Sequence, residues 1–144
     1  MKFQSADTII AVGGGIGITS LLGYLELYLS SEKKKATRFC LFWTVREESL
    51  IRAIKSQLGD LEVLRQRGVE VTITCTGESD EQSRRMDVGA VVREEVISER
   101  KTGRKVCVIS CGPGGLADEV RKAVVDSIGK MGVSVELVEE AFCW

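Results

Sequence analysis

The chain has 144 residues, 44% of them hydrophobic, which is the size of one domain with enough apolar surface to form a core. Lys and Arg number 20 and Asp and Glu 21, so the net charge is −1 and a general nucleic-acid binder, which needs a basic face, is disfavoured. There is no histidine, which excludes histidine catalysis and zinc or haem ligated by histidine.

Cysteine usage and hydropathy bear on the compartment. The five cysteines are odd in number, include no C-x-x-C pair and follow no signal peptide, so we expect free thiols in a reducing, cytosolic setting and no zinc site. No apolar run reaches the roughly 18 to 20 residues that a bilayer span needs. We therefore expect this chain by itself to be soluble, without direct membrane insertion.

Five short apolar runs predict β-strands, and longer segments between them predict helices. The predicted strands are residues 8–12, 39–45, 69–76, 106–111 and 133–138. Runs that are apolar on both faces are typical of a parallel sheet covered by helices on both sides. Each helical segment carries one apolar stripe at three- and four-residue spacing, and these segments are residues 18–29, 48–58, 88–99 and 115–130.

This alternation predicts one α/β domain over residues 1–144, with helices on both faces of a doubly wound, Rossmann-like sheet. We expect five parallel strands in the order 3-2-1-4-5. Polar stretches at residues 30–35 and 77–85 predict loops.

A glycine-rich loop, VGGGIGIT, joins the first strand to the first helix. Glycines let the backbone approach a ligand, and the amides and dipole at a helix start favour an anion, to which Thr19 can add a hydroxyl donor. The usual dinucleotide fingerprint G-x-G-x-x-G is not met, because Ile18 or Ser20 stands at its third glycine. The alternative is a tight strand-to-helix turn without a ligand.

A second glycine loop, CGPGG, follows the fourth strand at residues 111–115. Ligands of open parallel sheets bind outside the carboxyl ends of the strands, where the winding reverses. With strands one and four adjacent, the two glycine loops form opposite sides of one crevice. The alternative is two unrelated turns.

The residue after the second strand of this fold class meets the adenosine ribose, and an arginine there accommodates the 2′-phosphate of NADP. Arg46 occupies that place, whereas Glu47 and Glu48 suit the start of the next helix. The pattern therefore favours NADPH over NADH; the alternative for Arg46 is a solvated surface charge.

At the chain end, Phe142 and Trp144 are expected either to cover a flat ring or to pack in the core.

Four motifs together resemble the NADPH-binding domain of the ferric reductase and NADPH oxidase superfamily, fungal-type ferric reductases most of all, and more distantly ferredoxin–NADP reductase. They are GGGIGIT, FWTVR, SCGPGGLADEV and EEAF. The resemblance implies that NADPH passes a hydride to FAD, which is held by a separate flavin-binding domain of the parent protein. Electrons then move through haem in a membrane domain to ferric iron or oxygen, with this domain on the cytoplasmic side. By itself the chain is expected to have little reductase activity.

The resemblance also assigns roles to residues. Those that line the pyrophosphate are Gly14, Gly15, Ile16, Gly17, Ile18 and Thr19. Those on the 2′-phosphate side are Arg46 and Arg85. Those beside the nicotinamide and flavin are Cys111, Gly112, Pro113, Glu140, Phe142 and Trp144, of which Cys111, Glu140 and Phe142 are the implied catalytic group.

This sequence departs from the family pattern at two places. Ser20 replaces a frequent proline, and Arg84-Arg85-Met86 replaces a Gly-Arg-Pro stretch. Two other functions stay open from the residues alone: a nucleotide-binding sensor without redox activity, and a methyltransferase using S-adenosylmethionine. The methyltransferase would expect an acid where Arg46 stands.

Overall fold

Five parallel strands form one sheet in the computed structural model, which describes residues 6–30, 38–75, 87–100, 104–112, 115–128 and 135–140. The strands are β1 (Thr8–Gly14), β2 (Arg38–Val45), β3 (Val69–Cys75), β4 (Val106–Cys111) and β5 (Val135–Glu140). Their order is β3-β2-β1-β4-β5, which confirms the predicted fold class and strand order.

Helices cover both faces of the sheet, as the two-sided apolar runs predict. They are α1 (Ile18–Ser30), α2 (Glu48–Leu58), α3 (Leu61–Gln66), α4 (Val88–Arg100) and α5 (Gly115–Ile128). Alternate residues of β1, β2 and β4 pack under α1, α2 and α3 in one core, and the residues between them pack under α4 and α5 in a second. No helix within the described residues is long and apolar enough to cross a bilayer.

Most predicted bounds agree with the structure to within two residues, with a few differences. β1 continues through Gly13 and Gly14, because both glycines still pair with β2. The short helix α3 was not predicted, since only Leu64 of its residues is buried and its start depends on the Asp60 carboxylate, which accepts from the amide of Glu62 at 2.9 Å. Ser30 belongs to α1, not to a loop. The rest of both predicted loops lies outside the described residues.

A polar network holds α4 to the amino edge of the sheet. The carboxylate of Glu99, a residue only 4% exposed, accepts from Thr8 Oγ1 at 2.9 Å and from Arg38 Nη1 at 2.8 Å. Arg38 also pairs with Glu70 and Glu95. Because buried charges are stable only when paired, this network joins the first residues of β1 and β2 to the end of α4. It lies at the edge opposite to the glycine loops.

Candidate functional site

The two glycine loops touch at the carboxyl edge of the sheet. β1 and β4 are adjacent, and Gly13 pairs with Cys111. A Cβ atom placed on Gly17 would lie 2.8 Å from the carbonyl carbon of Cys111, and closer still to its oxygen. Real Cβ atoms do not approach so closely, so only glycine lets the first loop rest against the end of β4.

A second close approach joins Gly112 to Gly14. A Cβ on Gly112 would lie 3.1 Å from the amide nitrogen of Gly14 and 3.3 Å from its Cα atom. The two loops therefore meet backbone to backbone at two points. Because both loops consist largely of glycine, a ligand at this edge of the sheet would meet mainly backbone atoms.

Gly15 occupies a left-handed conformation, with φ of 55°, that glycine adopts without strain. Among the described residues, nothing lies within 4 Å of the place where its Cβ would be, so the space in front of Gly15 is open toward them. Its carbonyl accepts a 2.8 Å hydrogen bond from the indole Nε1–H of Trp43, whose side chain is fully buried in β2.

Trp43 belongs to the FWTVR motif, but the sequence predicted no role for it. The usable signal is that a buried indole N–H requires an acceptor. Trp43 lies close to the carboxyl end of β2, next to the loop that follows β1. The nearest carbonyl acceptors in that loop belong to the glycine-rich segment.

The two isoleucines of the first glycine loop, Ile16 and Ile18, have different environments at the start of α1. The amide of Ile18 donates to the carbonyls of Gly15 and Ile16, closing a 3₁₀ turn over Gly15–Gly17. The Ile18 side chain is fully buried in the core and its amide is engaged within the turn, so neither is directed at a ligand as the sequence predicted. Ile16 is 43% exposed, and the Thr19 hydroxyl donates to its carbonyl at 2.9 Å.

Arg46 is exposed directly after β2, at the same edge as the first glycine loop. Gly14 pairs with Thr44 in the neighbouring strand, which brings the two segments side by side. The Arg46 carbonyl accepts from Cys75 Sγ at 3.6 Å, which joins the ends of β2 and β3 beneath it.

Cys111 and Glu140 are register partners on β4 and β5, although they are far apart in sequence. The Cys111 side chain is 1% exposed and belongs to the core under α1. The sheet thus brings together at one edge the predicted residues from Gly14 to Thr19, Arg46, Cys111, Gly112 and the main chain of Glu140. Four predicted site residues lie outside the described part of the chain: Arg85, Pro113, Phe142 and Trp144.

Solved structures similar to this chain are reductase domains. The CS-b5R domains of human Ncb5or in the NAD+ form match with a TM-score of 0.60 and 15% identity, over 94% of this chain and 38% of that one. The cytochrome b5 reductase domain of Ulva prolifera nitrate reductase matches with a TM-score of 0.60 and 17% identity, over 92% of this chain and 50% of that one. A mutant ferredoxin–NADP+ reductase from Plasmodium falciparum with 2′P-AMP matches with a TM-score of 0.58 and 11% identity, over 96% and 55%. At these identities the similarity shows the fold.

This chain spans about 38% to 55% of the lengths of those proteins. No curated protein sequence matches it significantly. The family model for the ferric reductase NAD-binding domain matches residues 6–96, which is more than half of the chain and includes β1, β2 and β3. The chain therefore belongs to the family of ferric reductase NAD-binding domains, an oxidoreductase family of α/β nucleotide-binding domains.

Proposed function

We propose that this chain is the NADPH-binding domain of a transmembrane ferric reductase. In this proposal residues 1–144 are one domain on the cytoplasmic side of a membrane, next to a flavin-binding domain of the same protein. The observation that carries the proposal is the backbone contact between the two glycine loops, beside Arg46. Family membership supports the nucleotide, and the parent's haem and ferric iron are part of the proposal.

The glycine loop at the start of α1 fits a pyrophosphate. A pyrophosphate is a bulky anion that binds main-chain amides best where no Cβ intervenes, and the position in front of Gly15 is open. The dipole of the 13-residue helix α1 adds positive potential at its first turn. We assign Gly14, Gly15, Ile16, Gly17 and Thr19 to this subsite, with Ile18 contributing no side chain. The Thr19 hydroxyl would have to turn from the Ile16 carbonyl, to which it donates, in order to donate to the anion.

Arg46 fits the 2′-phosphate that distinguishes NADPH from NADH. Its guanidinium can hold a phosphate with two parallel hydrogen bonds, and its main chain is anchored by β2 and by Cys75. Arg85 remains a proposed second contact. An arginine in this position favours NADPH on electrostatic grounds, because NADH offers it only hydroxyl groups.

At the nicotinamide end, the chain's task is orientation. When bound beside FAD, NADPH supplies a hydride that the flavin accepts. Gly112 and Pro113 are proposed to leave room for the ring, with Cys111 and Glu140 beneath it and Phe142 or Trp144 covering the flavin. We assign Cys111 a packing role, because its buried thiol is not presented as a nucleophile. Hydride transfer needs no general acid or base, which agrees with a chain that lacks histidine.

Calorimetric titration with NADPH and NADH tests the proposal. We expect the wild-type chain to bind NADPH at least about 10-fold more tightly, since a phosphate–arginine pair is charge-assisted. Arg46→Ala should remove most of this preference while leaving NADH affinity within about threefold. Arg52→Ala, which removes an exposed arginine of α2, is the matched control and should change neither affinity. Equal affinity of the wild type for both nucleotides, or an unchanged preference in Arg46→Ala, contradicts the assignment.

Two alternative functions differ from this proposal in the parts of the protein outside this domain. An NADPH oxidase would use this same domain and reduce oxygen, so the final electron acceptor is determined outside this chain. A nucleotide sensor would bind NADPH without passing electrons. Adding the flavin-binding domain should restore NADPH-dependent reduction of ferricyanide if the domain is a reductase, and should not if it is a sensor. The methyltransferase alternative is not retained, because the matching family is one of NAD-binding domains.

A further inference from the structure

Trp43 is a buried aromatic residue with a polar contact to the glycine loop. Its side chain is 0% exposed and packs in the core under α1. Its Nε1–H donates to the Gly15 carbonyl at 2.8 Å, and the same carbonyl also accepts from the Ile18 amide. Two donors therefore fix the direction of this one carbonyl group.

The direction of the Gly15 carbonyl decides what the next amide faces. In a trans peptide the C=O and the following N–H point in opposite directions, and the described residues contain no cis peptide bond. Because the Gly15 carbonyl points toward Trp43 and the first turn of the helix, the Ile16 N–H points away from the core. At the neighbouring Gly15, no described residue lies within 4 Å of the position that a Cβ would occupy.

Inversion of this peptide would rotate ψ of Gly15 together with φ of Ile16. Gly15 has no Cβ to oppose the change in its own ψ, so on that side the orientation of the peptide depends on the groups that hold its carbonyl. Inversion would turn the carbonyl oxygen toward a bound anion and the amide away from it, which replaces attraction by repulsion. A hydrogen bond from a rigid, buried indole opposes that inversion.

We propose that Trp43 is a positioning residue for the pyrophosphate subsite: its indole N–H holds the Gly15–Ile16 peptide with the Ile16 amide facing the anion. The inference rests on the proposed nucleotide-binding function. It also assigns a double role to β2, since the same strand that carries Trp43 ends immediately before Arg46. One rigid strand thus sets the spacing between the pyrophosphate loop and the 2′-phosphate contact.

Two nucleotide fragments separate these subsites. ADP-ribose carries the pyrophosphate without a 2′-phosphate, and 2′-AMP carries the 2′-phosphate without a pyrophosphate. Trp43→Phe keeps most of the aromatic volume and removes the N–H. We expect it to weaken ADP-ribose and NADPH binding about 3- to 10-fold, the range of one hydrogen bond, and to leave 2′-AMP within twofold of the wild type. Arg46→Ala should show the opposite pattern.

Phe39→Leu is the matched control for a weakened core. Phe39 is fully buried in the same strand and packs against Tyr28, with ring centroids 5.4 Å apart, at the end of β2 away from the loop. This variant should lower the melting temperature without changing ADP-ribose affinity. In wild-type protein labelled with ¹⁵N, the Trp43 indole resonance should be protected from exchange and should shift with ADP-ribose but not with 2′-AMP. This second measurement serves even if Trp43→Phe fails to fold.

The outcomes separate the two proposals. If the wild type binds neither ADP-ribose nor NADPH, the proposed function fails. If it binds both and Trp43→Phe binds ADP-ribose equally well, the role of Trp43 is overturned and the proposed function stands. Equal losses for ADP-ribose and 2′-AMP, reproduced by Phe39→Leu, would also overturn it, because they would reveal a purely structural residue. An indole resonance that does not respond to ADP-ribose has the same consequence.

Discussion

Gly17 and Cys111 lie against each other so closely that a Cβ on Gly17 would be 2.8 Å from the carbonyl carbon of Cys111. The contact joins the 3₁₀ turn before α1 to the last residue of β4. It involves backbone atoms on the Cys111 side, which cannot rotate away as a flexible side chain would. The relative position of the two glycine loops therefore depends on the absence of a side chain at residue 17.

Gly17→Ala should separate the two loops. We expect it to lower the free energy of unfolding by about 1 to 3 kcal/mol, as overpacking does, and to weaken NADPH binding at least about 10-fold. Gly23→Ala is the matched control, because no described residue lies within 4 Å of a Cβ on Gly23 in α1 and alanine is the better helix former. It should raise stability by up to about 1 kcal/mol and leave binding unchanged. Chemical denaturation and calorimetry measure both; a Gly17→Ala protein with wild-type stability and affinity would contradict the contact.

Arg38→Met should destabilise the fold without touching the nucleotide site. Removing the guanidinium leaves the carboxylate of the buried Glu99 without its 2.8 Å partner, which costs about 1 to 3 kcal/mol, because Arg38 is 27% exposed and Arg104 still lies 3.8 Å from Glu99. Arg65→Met is the control, since its pairing with Glu62 is exposed and contributes less than about 0.5 kcal/mol. Urea denaturation should rank the variants in this order. Equal stability of the two variants would show that the polar network at the amino edge does not stabilise the fold.

The stability of the fold should decrease above pH 9 because of buried thiols. Burial, with a smaller effect of the Glu136 carboxylate, raises the pKa of Cys107 from its ordinary 9.0 to about 11. Between these pKa values the unfolded thiol loses its proton and the folded thiol keeps it, so ionisation stabilises the unfolded state. The contribution of Cys107 to the free energy of unfolding is complete below pH 9 and is lost as the pH rises toward 11.

Cys107→Ala isolates this contribution. From pH 8.5 to pH 10 the wild type should lose about 1 kcal/mol more than the variant, whatever the constant offset from the deleted sulfur. Guanidinium denaturation at a series of pH values gives the two slopes. Parallel slopes would show that Cys107 does not keep its proton in the folded state.

Thiol accessibility should divide the cysteines by their place in the sheet. Cys40, Cys107 and Cys111 are buried and Cys75 is half-buried, and none of these four described cysteines forms a disulfide. In a Cys143→Ser background, a colorimetric disulfide reagent at pH 8 should label Cys75 rapidly and the other three only on unfolding. Rapid labelling of Cys111 in the native protein would contradict its placement in the core under α1 and the packing role proposed for it.

Local patterning was sufficient for the class of fold. Strand runs, helical stripes and glycine-rich breaks predicted the five strands and four of the five α-helices in the part of the chain that the structure describes, because side-chain periodicity and turn chemistry act over a few residues. The weakly amphipathic α3 escaped, since a six-residue helix with one buried side chain leaves almost no periodic signal. The position of Arg46 was predicted in the same way, directly after an apolar run, and it is exposed there; its role toward the 2′-phosphate stays a prediction.

Only the tertiary structure decided which predicted loop residues can face a ligand. Ile16 and Ile18 are two residues apart and chemically alike, yet the first is exposed and the second is in the core. The hydrogen bond from Trp43 to Gly15 joins residues 28 positions apart. The adjacency of β1 and β4 was expected from the fold class, but the contact of Gly17 with Cys111 also depends on the register that pairs Gly13 with Cys111. Such contacts depend on how the strands cross over and on their register. The periodicity of a segment shows only which of its own faces is buried. The local sequence therefore determines whether the segment is a helix or a strand, but not which atoms of other segments it contacts.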